Sequence, residues 1–113
     1  MRFEDLEVWK RSARLSAELY KALADLGDFG FRDQITRSGL SVPSNIAEGD
    51  ERGSDKDSVK FFYIAKGSLA EVQTQLEIAL ELHYITQHTH NELEKTCSEI
   101  GKMLGSLIKA RSK

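Results

Sequence analysis

Apolar residues recur along this chain at intervals of three and four, the spacing that gathers side chains on one face of an α-helix. Between about Asp5 and Leu26, one stripe holds Leu6, Trp9, Ala13, Tyr20 and Leu23, and an adjacent stripe holds Val8, Leu15, Leu19, Ala22 and Leu26. Two stripes on one helix predict two neighbours. Gly27 suits a left-handed cap, and Asp28-Phe29-Gly30 reads as a turn. A second helix is predicted over 31–48, carrying Ile35, Leu40, Val42, Ile46 and Ala47. Pro43 lacks an N–H and crowds the carbonyl four residues back, so one helix kinked between Gly39 and Pro43 is expected, ending at Gly49.

The clearest pattern comes next. Ser54, followed three residues later by Asp57, has the form of an N-cap. Phe62, Ala65, Leu69, Val72, Leu76, Ala79 and His83 then alternate strictly by three and four, a coiled-coil-like seam in a helix predicted from Ser54 to Tyr84. Phe61, Ile64, Ser68, Leu80 and Tyr84 decorate its flank. After a turn at Ile85 to His88, Thr89 and Glu92 form a capping box, and Leu93, Cys97, Ile100, Leu104 and Leu107 mark a last helix. Beyond Glu99 there is no acid, only the bases Lys102, Lys109, Arg111 and Lys113, the sign that a helix C-terminus prefers. No segment alternates as a strand does. The expected fold is all-α: an up-down-up-down antiparallel four-helix bundle, with residues 1–113 as a single domain and the second helix kinked near Pro43.

Composition and charge narrow the class. With 40% hydrophobic and 30% charged residues, the chain of 113 residues has enough apolar surface for a core and too much for a disordered chain. The single cysteine rules out an internal disulfide, and the charged start lacks an apolar signal region, so a cytoplasmic, reducing location is expected. The longest runs free of charge, Ser38 to Ala47 and Leu82 to Asn91, are far shorter than the roughly 18 residues of a membrane span. Net charge is −2, and residues 1–56 hold 9 bases and 11 acids against 7 and 7 in residues 57–113. Neither half is a basic domain, so any phosphate-binding surface must be local.

A lone bundle needs one inward face per helix. Helix one carries two stripes and helix three adds Phe61 and Ile64, so the surplus predicts a homo-oligomer. Gly101 and Gly105 on the last helix and Gly67 inside the third read either as sites of close helix crossing or as tolerated surface positions.

The search for chemistry is largely negative. Cys97, between Leu93 and Ile100, reads as a small buried hydrophobe. His83 reads as a packed histidine at the end of its seam, and His88 and His90 lie in a turn without ligand spacing. The acidic loop Asp50 to Asp57 lacks the EF-hand order of ligands. No phosphate loop, nucleophile elbow or zinc-protease helix occurs. No catalytic residue, cofactor or metal is expected, and the chain reads as non-enzymatic. One unusual polar cluster, Gln34, Arg37, Asn45, Glu48 and Arg52, straddles the expected kink. It reads either as a structural network serving the bend or as a partner, small-molecule or anion-binding (hydrolytic) site around Arg37, Asn45, Glu48 and Arg52. Lys10, Arg11 and Arg14 group on the polar side of helix one. They read as a solvated face, or as phosphate contacts once oligomerisation repeats them.

Three segments carry a resemblance. They are Phe3-Glu4-Asp5-Leu6-Glu7-Val8-Trp9-Lys10; Gln34-Ile35-Thr36-Arg37-Ser38 with Ser41-Val42-Pro43-Ser44-Asn45-Ile46-Ala47-Glu48-Gly49 and Arg52; and Ala65-Lys66-Gly67-Ser68-Leu69-Ala70-Glu71-Val72. The chain resembles the four-helix-bundle proteins encoded in intervening sequences of bacterial 23S ribosomal RNA genes, a superfamily that also includes the accessory variability protein of diversity-generating retroelements. The resemblance implies a ring-shaped homopentamer and, for the retroelement relative, a basic channel surface that binds reverse transcriptase and nucleic acid. The expectation is a homo-oligomeric interaction or adaptor protein, partnered by copies of itself and by RNA, DNA or a nucleic-acid enzyme.

Overall fold

The structure, a computed structural model, describes residues 2–113. A short 3-10 turn, Phe3–Asp5, leads into four helices: α1 (Glu7–Ala22), α2 (Phe29–Asp50), α3 (Asp55–Glu81) and α4 (Gln87–Arg111). No strand occurs among the described residues. The protein is all-α, a rod of 43 × 21 × 20 Å. Each helix packs on its predecessor and α4 closes onto α1, while the backbones of the diagonal pairs stay apart. Leu6 to Val8 of the α1 start lie beside Lys102 to Leu107, and Glu18 to Ala22 of its end lie beside His88 to Leu93.

The periodicity places the core well. Phe62, Ala65, Leu69, Val72, Leu76 and Ala79 of α3 are all buried, as are Leu93, Cys97, Ile100 and Leu104 of α4 and Ile35, Val42 and Ile46 of α2. Helix α2 runs without a break through Pro43, which is itself buried. On α1, Val8, Leu15, Leu19 and Leu23 are buried and Leu6 and Trp9 are packed against the core. Both α1 stripes are therefore largely consumed within one copy, by α2 and α4, and of the surplus expected on α1 only Tyr20 and Ala22 stay exposed.

Helix ends shift wherever a better cap lies one turn away. Helix α1 stops at Ala22, because the Leu26 amide bonds back to Leu23 in a turn outside the helical ladder. Asp28, expected in a turn, caps α2 by accepting the Phe31 N–H at 3.1 Å. Ser54 caps α3 through the Asp57 N–H at 3.3 Å, as its spacing predicts. Thr86 caps α4 through the Thr89 N–H, so the expected cap Thr89 sits in the first turn and His88 and His90 are helical. His83 lies beyond α3, exposed, with φ 61°. The Tyr84 N–H reaches Ala79 O at 2.8 Å and the His83 N–H reaches Leu80 O, a left-handed C-terminal cap that takes His83 off the seam.

The glycines also divide differently from expectation. Gly49 lies inside α2, where a Cβ would stand 2.7 Å from Phe62 Cε1 and 3.0 Å from Ser58 O. At Gly39 a Cβ would meet Leu19 Cδ1 at 2.5 Å. These two are the close approaches of the bundle. Gly101 leaves ordinary room before Leu69, and nothing stands within 4 Å of a Cβ at Gly67 or Gly105.

Candidate interaction surfaces

The polar cluster on α2 is spread along the helix and bound to it. Arg37 is exposed and pairs with Asp33, one turn back, at 3.3 Å. Asn45 Nδ2 donates to Ser41 O at 2.8 Å and to Ser41 Oγ at 2.9 Å. Ser41 Oγ lies 2.8 Å from Ser68 Oγ, which ties α2 to α3. Glu48 pairs with Arg52 at 2.6 Å, and that guanidinium also stacks 4.4 Å above the Phe61 ring. Gln34 is exposed, and its carbonyl accepts from Ser38 Oγ. Arg37 and Glu48 are eleven residues apart, about 16 Å along the axis. Asn45 and Glu48 lie near the end of α2 with Arg52 just beyond it, but the structure does not gather Arg37 with them into a pocket. Arg37 and Asn45 are answered by their own helix, Glu48 by Arg52 just past its end, and Arg52 also by Phe61 of α3.

On α1, Lys10 and Arg14 are exposed and belong to no ion pair. Arg11 is different: its guanidinium bonds Glu99 of α4. Lys10 and Arg14 remain open to a phosphate while Arg11 is held across the α1–α4 seam. Cys97 is fully buried, and burial, helped by nearby Glu94, pushes its thiol up to about 12. His90, placed in a turn by its sequence, is buried in the first turns of α4 with Nε2 2.8 Å from Glu77 Oε1. Its Nδ1 is buried without a partner. Among the described residues no cluster of His, Cys, Asp or Glu could hold a metal ion.

Two features escaped sequence reasoning. The first is at the end of the rod, where Arg111 of α4 bonds Asp50 of α2 at 2.8 Å, lies 4.0 Å from Asp55 of α3, and stacks over Phe62 at 5.5 Å. The Asp50 side chain is only 8% exposed and that of Arg111 27%. No local pattern announces a pair 61 residues apart. The second feature is the location of the uncovered hydrophobes. Tyr20 and Phe29 flank a cleft of about 650 Å³ between α1 and α2 with Arg32, Asp33 and Thr36. Leu40, also exposed, edges a second cleft on the same pair of helices with Trp9 and Pro43. On α3, Ile64, Ile78 and Leu82 are exposed, fourteen and four residues apart, so they stand in line on its outer side with Gly67 among them. Tyr63 is exposed beside them.

These features define a class: an all-α four-helix protein whose polar clusters serve its own packing and whose uncovered apolar surface lies in two separate patches. The chain belongs to the 23S rRNA-intervening sequence protein family, whose model matches residues 4–106. It is similar to a crystal structure from Bacteroides thetaiotaomicron, described as a protein with unknown function from the S23 ribosomal protein family. The two are 30% identical with a TM-score of 0.85, over 90% of this chain and 98% of the other. No curated protein matches. No helix among the described residues is long and apolar enough to cross a membrane.

Proposed function

We propose that this chain is a non-enzymatic, cytoplasmic, homo-oligomeric adaptor associated with RNA or a ribonucleoprotein, assembled as the pentamer that the family resemblance implies. The observation that carries the assembly is the pair of apolar patches, Tyr20, Phe29 and Leu40 on the α1–α2 side and Ile64, Ile78 and Leu82 on the outer side of α3. Exposed apolar surface marks interfaces, and on α3 it forms an interrupted row, with exposed Glu71 midway between Ile64 and Ile78. A two-fold dimer pairs one patch with itself, whereas two different patches suit head-to-tail packing, which closes into a ring when the rotation per copy divides the circle.

Light scattering at micromolar concentration tests this reading, with a mass near five copies expected. Leu40→Glu and Ile64→Glu each spoil one patch and leave the other. Each alone is expected to run as a monomer, and their mixture as a heterodimer joined through the two intact patches. A wild-type monomer at tens of micromolar overturns the assembly, and two variants that never associate when mixed overturn the head-to-tail arrangement.

A further inference from the structure

Folding sorts the charge in a way that the linear order hides. The first and last helices are neighbours, so residues 1–27 and 85–113 make one side of the bundle, with 10 bases and 8 acids, net +2. Residues 28–84 make the other side, with 6 bases and 10 acids, net −4. On α4, Lys95, Lys102 and Lys109 recur every seven residues, which lines them along one face about 10 Å apart. All three are exposed, on a helix that buries Leu93, Cys97, Ile100 and Leu104. On α1, Lys10, Arg14 and Lys21 are exposed at spacings of four and seven, a second line on the neighbouring helix. Among the described residues none of the six lies within ion-pair distance of an acid, whereas Arg11 between the two lines is bonded to Glu99. Lys102 borders a cleft at one end of the α1–α4 seam and Lys21 a cleft at the other. Acids share the seam between the two lines: Glu7 lines the cleft with Lys102, Glu18 and Glu92 line the cleft with Lys21, and Glu99 is held by Arg11, while Glu94 accepts from Gln73 on the α3 side.

We infer that the outer α1–α4 face binds a nucleic-acid backbone through its phosphates, with Lys95, Lys102 and Lys109 as one rail and Lys10, Arg14 and Lys21 as the other. The inference rests on the RNA-associated reading above and supplies its surface. The face has the composition of a phosphate contact and not of a protein interface. Ser98 and Ser106 alternate with the lysines, whereas the exposed large hydrophobes all lie on α1–α2 or α3, at Tyr20, Phe29, Leu40, Tyr63, Ile64, Ile78 and Leu82. Lysine and arginine rails of this kind contact phosphates and not base edges, so recognition is of the backbone and not of sequence.

The test is fluorescence anisotropy with a labelled 24-nucleotide single-stranded RNA of mixed sequence and its DNA equivalent, titrated from 20 to 200 mM salt. Binding is expected to weaken steeply with salt. The triple variant Lys95→Ala, Lys102→Ala, Lys109→Ala is expected to lower the log–log salt slope by about 2 and affinity at 0.1 M by about 100-fold, if each lysine neutralises one phosphate. The control triple Lys56→Ala, Lys60→Ala, Lys66→Ala on α3 is expected to change affinity less than twofold, with circular dichroism and mass unchanged in both. Equal loss in the two triples overturns the face. Competition by polyglutamate as strong as by RNA overturns a nucleic-acid partner, and a sugar preference above tenfold overturns recognition by phosphate alone. Absence of binding at 20 mM salt with a mass of five copies refutes this inference and leaves the assembly standing. A monomer that still binds through α4 leaves the face and removes the assembly.

Discussion

Replacing Arg111 by alanine is expected to cost this protein far more than replacing the acid it holds. Asp50 is the last residue of α2, where the negative end of the helix dipole disfavours a carboxylate, and its side chain is nearly covered. Its charge is held there by the Arg111 guanidinium at 2.8 Å. Breaking a fully buried pair by removing one partner costs about 3 to 5 kcal/mol, because the remaining charge is left uncompensated. Arg111 keeps 27% of its surface, so water re-enters when it is cut back and the expected loss falls to about 2 to 3 kcal/mol. That figure includes the lost stacking over Phe62. The reverse cut is milder: in Asp50→Asn the guanidinium keeps Asp55 at 4.0 Å and solvent, so the loss is about 0.5 to 1 kcal/mol. Urea unfolding at fixed protein concentration, with m unchanged, measures both, and the melting temperature of Arg111→Ala is expected to drop by roughly 10 °C. A loss under about 0.5 kcal/mol in Arg111→Ala, or equal losses in the two variants, would refute the claim that the arginine stabilises an otherwise stranded charge.

Four further outcomes follow from single features. His83→Gly is expected to stabilise by about 0.5 to 1 kcal/mol, since glycine adopts φ 61° without strain, and a lower melting temperature counts against the left-handed cap. Gly49→Ala is expected to cost about 1 to 3 kcal/mol, because the new methyl meets the buried Phe62 ring, while Gly105→Ala, with open space around it, gains up to about 1 kcal/mol; calorimetry that ranks them the other way refutes the packing argument. Cys97, its thiol pushed up to about 12 by burial, is expected to resist iodoacetamide at pH 8 and to react on unfolding in urea, so fast labelling of the native protein refutes its placement. The Tyr84 hydroxyl donates to Asp28 at 2.7 Å and, with the Phe31 N–H, holds that carboxyl below its usual range. A depressed carboxyl stabilises above its unfolded pKa and loses that contribution as pH falls through its folded pKa, so Tyr84→Phe is expected to flatten the acid limb of the stability curve; an unchanged limb sinks it.

The helices were legible because their faces are. Every residue from Phe62 to Ala79 on the predicted α3 seam is buried, and Ser54 caps that helix as its spacing requires. On α3 the seam fails only at His83, where the backbone turns left-handed while the three-four count runs on, and elsewhere packing overrides it: α4 buries Ile108 where the count points to Leu107, and α2 leaves Leu40 exposed. The α4 start was displaced by one turn because both Thr86 and Thr89 have the chemistry of a cap, and Thr86 accepts the Thr89 N–H itself. Asn45 stands out in the sequence, yet it bonds Ser41 on its own helix, which in turn meets Ser68 on α3, and only packing shows that the amide joins a structural chain. Asp50 looked like turn polarity because its partner is 61 residues away.

Charge was the least legible property, for a topological reason. Dividing the sequence at its middle places α1 in one half and α4 in the other, and each half looks acidic or neutral. The bundle closes α4 onto α1, so the cations of these two helices come to one side of net +2, while the larger acid excess lies on α2 and α3. A net charge of −2 therefore does not forbid a phosphate-binding face; it sets how weak one copy must be. The apolar patches occupy the α1–α2 side and the outer side of α3, so head-to-tail packing through them leaves the α1–α4 face open on every copy. Repetition then makes the second contact intramolecular, and a strand long enough to span two copies gains avidity without any new contact. The dependence of affinity on RNA length separates the two contributions: a strand that spans one copy reports the lysine rails alone, and a steep gain at the length that reaches the next copy reports the ring.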